Sequence, residues 1–248
     1  MAPLRVIEIL AGIANGAAQE QDLPQRLVEA CALALPVTGA AMSLMTDAGP
    51  AGTVAATDGP AATMEELQFA LGEGPCVDSS RTGRPILAPD LARTGPARWP
   101  GFSAGALEAG IRAIFALPLQ VGAVRVGVLD LYRDRSGVLS SDELAEALSF
   151  ADAAITILLH LQGQRDPDDG SGPGAIPVLE DRAEVHQATG MVAEQVGVSL
   201  TQALVLLQAR AYAAEQPIIV VSRDVLAGVV HFSSDRDGRI RDADRGAR

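Results

Sequence analysis

The chain has 248 residues, of which 31 are acidic and 19 basic, and its formal net charge is −12. All 19 basic residues are arginines. A P-loop and a protein-kinase site both need a lysine to contact phosphates, so the composition excludes these two enzyme classes.

Two observations concern the cellular compartment. The N-terminus has no basic region followed by an apolar segment, and no uncharged apolar run approaches the length of a membrane span. The two cysteines, Cys31 and Cys76, do not form a disulfide framework, which fits a reducing environment. We therefore expect a cytoplasmic protein with no membrane partner.

Residues 1–163 are predicted to form one domain in which strands and helices are interleaved. Apolar residues at helical spacing predict two helices at the start, the first marked by Ile7, Leu10, Ala14 and Ala17 and the second over 23–35. Short apolar segments predict strands over 39–45, 53–56, 111–119 and 124–132, the last two joined as a hairpin. A short helix follows the Gly72-Glu73-Gly74-Pro75 turn, and a long helix is predicted from Ser140 or Ser141 to about Gln162.

Three motifs in this domain carry a family resemblance. They are Gly72-Glu73-Gly74-Pro75-Cys76, Leu117-Pro118-Leu119 and the segment 127–132. In this order they resemble the GAF family of small-molecule or redox sensing domains, over about residues 4–162. The resemblance implies an α+β fold, with an antiparallel sheet flanked by helices.

The same resemblance implies a ligand pocket between the sheet and the short connecting helices. The alternative is that these segments are only core and loop. The candidate lining residues are Phe69, Leu71, Cys76, Trp99, Phe102, Ile114 and Phe115. Cys76 precedes a helix whose N-terminal amides could stabilise a thiolate, so it is either a redox-sensing cysteine or a buried structural one.

The ligand of this pocket is not identified by the sequence. Haem normally has a histidine ligand, and none of His160, His186 and His231 lies in the sheet region. No group of His, Cys, Asp and Glu has metal-ligand spacing, and no nucleophile and base can be paired. We therefore predict no haem, no metal site, no catalytic residue and no enzyme activity, and leave open a small-molecule effector.

The long helix at the end of this domain has an a/d pattern of apolar residues. They are Leu144, Leu148, Ala151, Ile155 and Leu158. This stripe predicts the seam of a homodimer. The alternative is that it packs within one chain, on the sheet or the first helix.

Residues 164–177 are rich in Gly, Pro and Asp and have no apolar period, which predicts a flexible linker. Three apolar segments of helical period follow over 178–232, so we predict a three-helix bundle. Gly197 ends its first helix, and Ser199 with Gln202 forms a capping box for the second. Residues 233–248 mix five arginines with four aspartates and are predicted to be a disordered tail.

The bundle contains a second family pattern. It reads A-x-V-x-Q-A-x-G-M-V from Ala183 to Val192, followed by V-S-x-x-x-A-L from Val198 to Leu204. This pattern resembles the ANTAR family of RNA-binding transcription antiterminators. Since receiver domains, the frequent partners of that family, depend on a lysine, the input must come from the domain at residues 1–163.

The resemblance implies that the bundle binds paired RNA hairpins of nascent transcripts. The candidate contact residues are Arg182, His186, Gln187, Thr189, Arg210, Tyr212 and Arg223. Charge opposes this function, because the bundle has six acidic residues against three arginines, and phosphate-binding surfaces are normally basic. The alternative is a ligand-sensing or protein-interaction regulator whose bundle has lost RNA binding, with the arginines paired to Glu184, Glu194 or Asp224.

Overall fold

The computed structural model describes residues 2–15, 19–46, 49–163, 183–234 and 240–244. The predicted linker over 164–177 and the candidate RNA contact Arg182 lie outside these ranges. The fold class is as predicted, an α+β domain with an antiparallel sheet flanked by helices and followed by a helical region.

The N-terminal domain is built on a five-stranded antiparallel sheet with the order β2-β1-β5-β4-β3. The strands are β1 (Gly39–Thr46), β2 (Gly49–Ala56), β3 (Ile86–Ala88), β4 (Ala113–Val121) and β5 (Val124–Arg133). Four of them were predicted from apolar runs, including the β4–β5 hairpin. Strand β3 was not, because three residues give too short a pattern.

Seven helices cover the two faces of this sheet. They are α1 (Ala2–Ala14), α2 (Leu23–Ala34), α3 (Gly59–Leu71), α4 (Pro75–Thr82), α5 (Leu91–Arg98), α6 (Pro100–Glu108) and α7 (Ser141–Gly163). Helices α1, α2 and α7 bury one face in a core that includes Leu27, Met42, Leu117 and Phe150. Helices α3, α5 and α6 cover the other face around Trp99, and α4 lies beside them.

Most of the predicted dimer stripe on α7 packs inside the protomer. Ala151 and Leu158 are buried in the α1–α2–α7 core, and Leu144 and Ile155 pack against it. Leu148 is the member of the stripe that is exposed, at 41%. The seam as predicted is therefore wrong for the buried members, because the broad apolar face of a helix that crosses a sheet also contains an a/d pattern.

Among the described residues, α7 is the one unbroken helix that is long and apolar enough to cross a bilayer. No such segment was expected from the sequence. Its 23 residues carry few charges after the first two turns. Its buried side chains, among them Phe150 and Ile157, pack on the sheet. The same composition is thus explained by its place in the core of the domain.

The C-terminal region contains three packed helices, α8 (Ala183–Val196), α9 (Leu200–Ala213) and α10 (Ile218–Leu226). Gly197 adopts the predicted left-handed conformation, with φ of 67°. Ser199 and Gln202 form the predicted capping box. Helix α10 includes four β-branched residues in a row, and burial of Ile218 and Val221 against α8 and α9 overrides their strand propensity.

Two apolar residues of the segments predicted to form the bundle are exposed. Leu200, at the first position of α9, is 57% exposed, and Val229, beyond the end of α10, is 43% exposed. Both lie at helix termini, where the periodic face has no neighbouring helix to cover it.

The prediction of a disordered tail from residue 233 is wrong for its described parts. Strands β6 (Val230–Ser234) and β7 (Ile240–Asp244) pair antiparallel. Phe232 is buried in the bundle core, and its backbone N–H donates to Gln195 Oε1 at 3.0 Å. The β-branched and aromatic residues of 230–232 favour a strand, and this anchor fixes it.

Replacing Gly127 with alanine is expected to lower the free energy of unfolding by about 1–3 kcal/mol. The reason is that a Cβ at Gly127 on β5 would overlap the backbone carbonyl oxygen of Ser43 on β1. Urea unfolding followed by circular dichroism measures the change.

Gly190→Ala is the matched control, because a Cβ at Gly190 inside α8 meets no atom within 4 Å. Alanine is the better helix former, so this variant should gain about 0.5–1 kcal/mol. If Gly127→Ala were as stable as the wild type, the close approach of β1 and β5 at this position would be wrong.

Candidate functional site

Five polar residues come together on the sheet face that α3 and α4 cover, and we refer to them as the buried polar cluster. All are at most 2% exposed. They are Ser43 on β1, Glu65 and Gln68 on α3, Cys76 on α4 and Asp130 on β5. Ligand atoms of Glu65, Cys76 and Asp130 all lie within 4.8 Å of one another.

The fold explains why these residues meet. Strands β1 and β5 are neighbours, with Ala41 opposite Asp130 and Ser43 opposite Val128, so the pleat turns Ser43 and Asp130 to the same face. Glu65 and Gln68 are three residues apart on α3 and share its inner face. The Cys76 N–H donates to Gln68 Oε1 at 2.7 Å.

The turn that delivers Cys76 depends on two glycines. Gly72 ends α3 in the left-handed region, and Gly74 has a φ of 137°. A Cβ at Gly74 would also overlap the side chain of Gln68. These requirements account for the Gly-x-Gly-Pro motif, since residues with a side chain rarely adopt such conformations.

Glu65 and Asp130 differ in their hydrogen bonds. Glu65 accepts from Ser43 Oγ through Oε2 and from Gln68 Nε2 at 3.4 Å through Oε1. Neither carboxylate oxygen of Asp130 has a hydrogen-bond partner among the described residues. The neighbouring side chains of Glu65, Cys76 and Gln68 nonetheless influence the pKa of Asp130.

Asp130 is consequently a carboxyl group that resists ionisation. Burial is the main reason that its pKa lies well above the ordinary range, and the neighbouring Glu65 carboxylate raises the pKa further. Cys76 and Gln68 act in the opposite direction. A group in this position either keeps its proton or needs a cation or a hydrogen-bond donor to replace it.

The predicted pocket residues do not line one common pocket. Cys76 joins the buried polar cluster, whereas Trp99, Phe102 and Ile114 are packed in the apolar core of the same sheet face, with Leu71 at its edge. These four apolar residues therefore agree with the alternative stated above, in which the segments form core and loop.

Two further predicted lining residues were misplaced. Phe115 lies on the opposite face, in the α1–α2–α7 core, because it is adjacent to Ile114 on a strand. Phe69 is buried in the core of the C-terminal bundle.

Phe69 marks a direct contact between the N-terminal domain and the bundle. Gln208 Nε2 on α9 donates to the backbone oxygen of Phe69 at 2.7 Å. His186 Nε2 on α8 lies 2.7 Å from the backbone oxygen of Ala51 on β2, and its ring meets Phe69 edge-on with centroids 6.4 Å apart. Helix α3 therefore contacts the buried polar cluster on one side and the bundle on the other.

Three of the predicted RNA contacts are engaged within the protein. His186 faces the N-terminal domain, as described above. Thr189 is buried and its hydroxyl donates to the Val185 carbonyl at 2.7 Å, so it is wrong as a surface contact. Arg223 Nε lies 2.6 Å from Glu184 Oε2, the surface ion pair anticipated as the alternative.

The other predicted contacts are at least partly accessible. Gln187 is exposed and Arg210 half-buried. Tyr212 is 71% exposed and lines a groove of about 460 Å³ between α3 and the bundle, opposite Leu71. Gly190, the glycine of the same sequence pattern, leaves open space beside the exposed Gln187.

Ser43, Glu65, Gln68 and Asp130 were missed by the sequence analysis, which predicted no metal-binding group. The linear spacing of Glu65, Cys76 and Asp130 gives no motif. One signal was present, since Asp130 interrupts the otherwise apolar segment 126–132 of a central strand. A charged residue in such a place is seldom there without a partner.

Comparison with known proteins finds a family match for the N-terminal domain. A family model described as GAF domain matches residues 17–158, more than half of the chain. The match does not extend to the C-terminal bundle. No curated protein matched the chain significantly.

Three solved structures illustrate the similarity. The GAF domain of a phosphoenolpyruvate-protein phosphotransferase from Acinetobacter has 11% identity and a TM-score of 0.50, covering 66% of this chain and 96% of its own. Its counterpart from Coxiella burnetii has 18% identity and a TM-score of 0.48, with coverages of 64% and 96%. A type II free methionine-R-sulfoxide reductase from Thermoplasma acidophilum has 13% identity and a TM-score of 0.44, and the match covers 57% of this chain and 92% of the reductase. At such identities the similarity concerns the fold alone.

Replacing Asp130 with asparagine is expected to raise the free energy of unfolding at neutral pH by about 1–3 kcal/mol, because the amide removes a buried ionisable group. In the wild type the pKa of Asp130 is higher in the folded state than its unfolded value of about 3.9. The folded state then binds more protons, so stability falls as pH rises from about 4 through the folded pKa. The variant should lose this part of the pH dependence in urea unfolding with a chelator present.

Asp152→Asn serves as the control, since Asp152 is an exposed carboxylate on α7. Its effect should stay within about 0.5 kcal/mol. A lower stability of Asp130→Asn across the whole pH range would mean that the Asp130 carboxylate is charged and well paired in the native protein.

Proposed function

The chain belongs to the GAF domain family, and on this basis we propose that residues 1–163 sense a signal that controls RNA binding by the bundle at 178–232. The output is antitermination, in which the bundle binds paired hairpins of a nascent transcript and prevents a terminator from forming. The observation that carries the proposal is the contact of α3 with both the buried polar cluster and the bundle.

Signal transmission is supported by the arrangement on α3. A change at the buried polar cluster acts on Glu65 and Gln68, and the next residue, Phe69, is buried in the bundle. Movement of α3 by a fraction of a helical turn would alter both the Phe69 contact and the Gln208 hydrogen bond. The bundle would then be released from the sensor or held in another position.

RNA as the ligand is supported by the resemblance of the bundle to the ANTAR pattern. Gln187 and Gly190 of that pattern lie on the accessible side of α8, with Met191 38% exposed beside them. The open space at Gly190 leaves room for a backbone or base to approach closely. Tyr212, exposed on α9, is suited to stack on an unpaired loop base.

A second candidate function is favoured by charge. The bundle has six acidic residues against three arginines, and Arg223 is paired with Glu184. A protein-interaction regulator with a bundle that no longer binds RNA would have this balance. The groove beside Tyr212 would then be part of the partner surface.

We also propose a cytoplasmic homodimer without enzyme activity. Exposed apolar side chains remain on the neighbouring helices α1 and α7, namely Leu4, Ile7 and Leu148. Their burial between two protomers would align two bundles for paired hairpins. Of the stripe predicted from sequence, this seam keeps only Leu148, and Leu4 and Ile7 of α1 are added to it.

RNA binding is tested by gel-shift titration of the full chain against paired-hairpin RNA at several salt concentrations. We expect affinity that falls as salt rises, because phosphate contacts release counterions. Arg182→Ala and Gln187→Ala should each weaken binding roughly tenfold, which corresponds to about 1.4 kcal/mol.

Arg125→Ala is the control for loss of one positive charge, because Arg125 is exposed at the β4–β5 turn of the sensor. It should leave RNA affinity unchanged. Absence of salt-dependent binding in the wild type, together with tight binding to a protein partner, would support the second candidate instead.

The dimer is tested by light scattering on size-exclusion chromatography. Ile7→Glu and Leu148→Glu should convert the dimer to a monomer, because each places a charge in the proposed apolar contact. Val138→Glu changes an apolar side chain that is more exposed than either, at 71%, outside these helices and should leave the mass unchanged. A wild-type chain that elutes with the mass of a monomer would contradict the proposal.

A further inference from the structure

The buried polar cluster combines one thiol with two carboxyl groups around a single point. The Sγ of Cys76 and one oxygen each of Glu65 and Asp130 lie within 4.8 Å of one another. They come from three different elements, α4, α3 and β5, so each ligand is held by its own part of the fold.

Asp130 provides an independent indication that a ligand belongs here. It is fully buried, and both of its carboxylate oxygens lack a hydrogen-bond partner within the part of the chain that the structure describes. Buried polar groups in folded proteins are nearly always satisfied, so such a group calls for a partner. A second carboxylate, Glu65, faces the same space and makes the need for positive charge greater.

From these two observations we propose that Glu65, Cys76 and Asp130 bind one divalent metal ion of the zinc class inside the sensor domain. The inference stands whether or not the bundle binds RNA.

The donor set selects this class of metal. A thiolate favours zinc over magnesium or calcium, which take oxygen ligands, and zinc also accepts carboxylates. Tetrahedral ligands of zinc are about 3.4 Å apart for bonds of about 2.0–2.3 Å. The separations of up to 4.8 Å therefore have to shorten when the metal binds.

Three protein ligands leave one coordination position unfilled by these residues. Ser43 and Gln68 each donate a hydrogen bond to the Glu65 carboxylate, as outer partners commonly orient metal ligands. Binding requires the thiol of Cys76 and the carboxyl of Asp130 to lose their protons to solvent, so affinity should rise with pH. The metal replaces these protons.

The experiment titrates the full, chelator-treated chain with Co²⁺ as a spectroscopic substitute for Zn²⁺. We expect one equivalent to bind, with a thiolate-to-cobalt charge-transfer band in the near ultraviolet. Asp130→Asn should weaken binding at least tenfold while the fold is retained, and Cys76→Ala should abolish the band. Zn²⁺ added afterwards should displace cobalt and remove the band.

Cys31→Ala is the matched control, because Cys31 is also a fully buried cysteine but lies in the core on the opposite side of the sheet. It should leave the band and the stoichiometry unchanged. Binding without the band, or a band that survives Cys76→Ala, would show that cobalt binds elsewhere and would overturn the proposal. Circular dichroism of each variant checks that the loss is not due to unfolding.

Discussion

Helix α3 has to be compatible with two different surroundings, and the rest of the structure depends on how it meets both. Its inner side brings Glu65 and Gln68 under the sheet, where Asp130 is already buried without a hydrogen-bond partner among the described residues. Its outer end carries Phe69 into the core of the bundle. Because one helix makes both contacts, a displacement of α3 at one of them would be transmitted to the other.

Such a transmission would give the proposed sensor a physical route to its output. A ligand can shift an equilibrium only by the difference in its affinity for the two states. A cation that binds better when Glu65 has one position than when it has another would bias α3, and with it the docking of the bundle. By linkage, release of the bundle would change the affinity of the site for the cation by the same factor.

Much of the architecture could be predicted from the sequence, and the reasons for success and failure are local. Long periodic segments such as α7 and the β4–β5 hairpin were found because their patterns extend over many residues. Helices α5 and α6 were not, since Pro96 and Pro100 and the neighbouring glycines obscure the helical period. Strand β7 was not predicted because arginine and aspartate make up three of its five residues, and β6 was not predicted because its apolar part, Val230 to Phe232, is only three residues long.

The candidate site was harder to predict because it depends on tertiary contacts. Glu65, Cys76 and Asp130 are brought together by strand order and pleat, neither of which a linear motif contains. Phe115 was predicted to lie on the same face as Ile114, but adjacent residues of a strand point to opposite faces of the sheet. The side on which Phe69 packs depends on a domain contact that the sequence does not indicate.

The strength of the contact between sensor and bundle is of the size that a switch needs. Gln208 and His186 each make one hydrogen bond to the backbone of the sensor, worth about 1 kcal/mol apiece. Burial of Phe69 in the bundle core adds about 1.5–3 kcal/mol. Ordering the two domains offsets part of this sum, so a few kcal/mol remain. A shift from about 99:1 docked to about 1:99 requires a ligand whose binding free energies for the two states differ by about 5.5 kcal/mol.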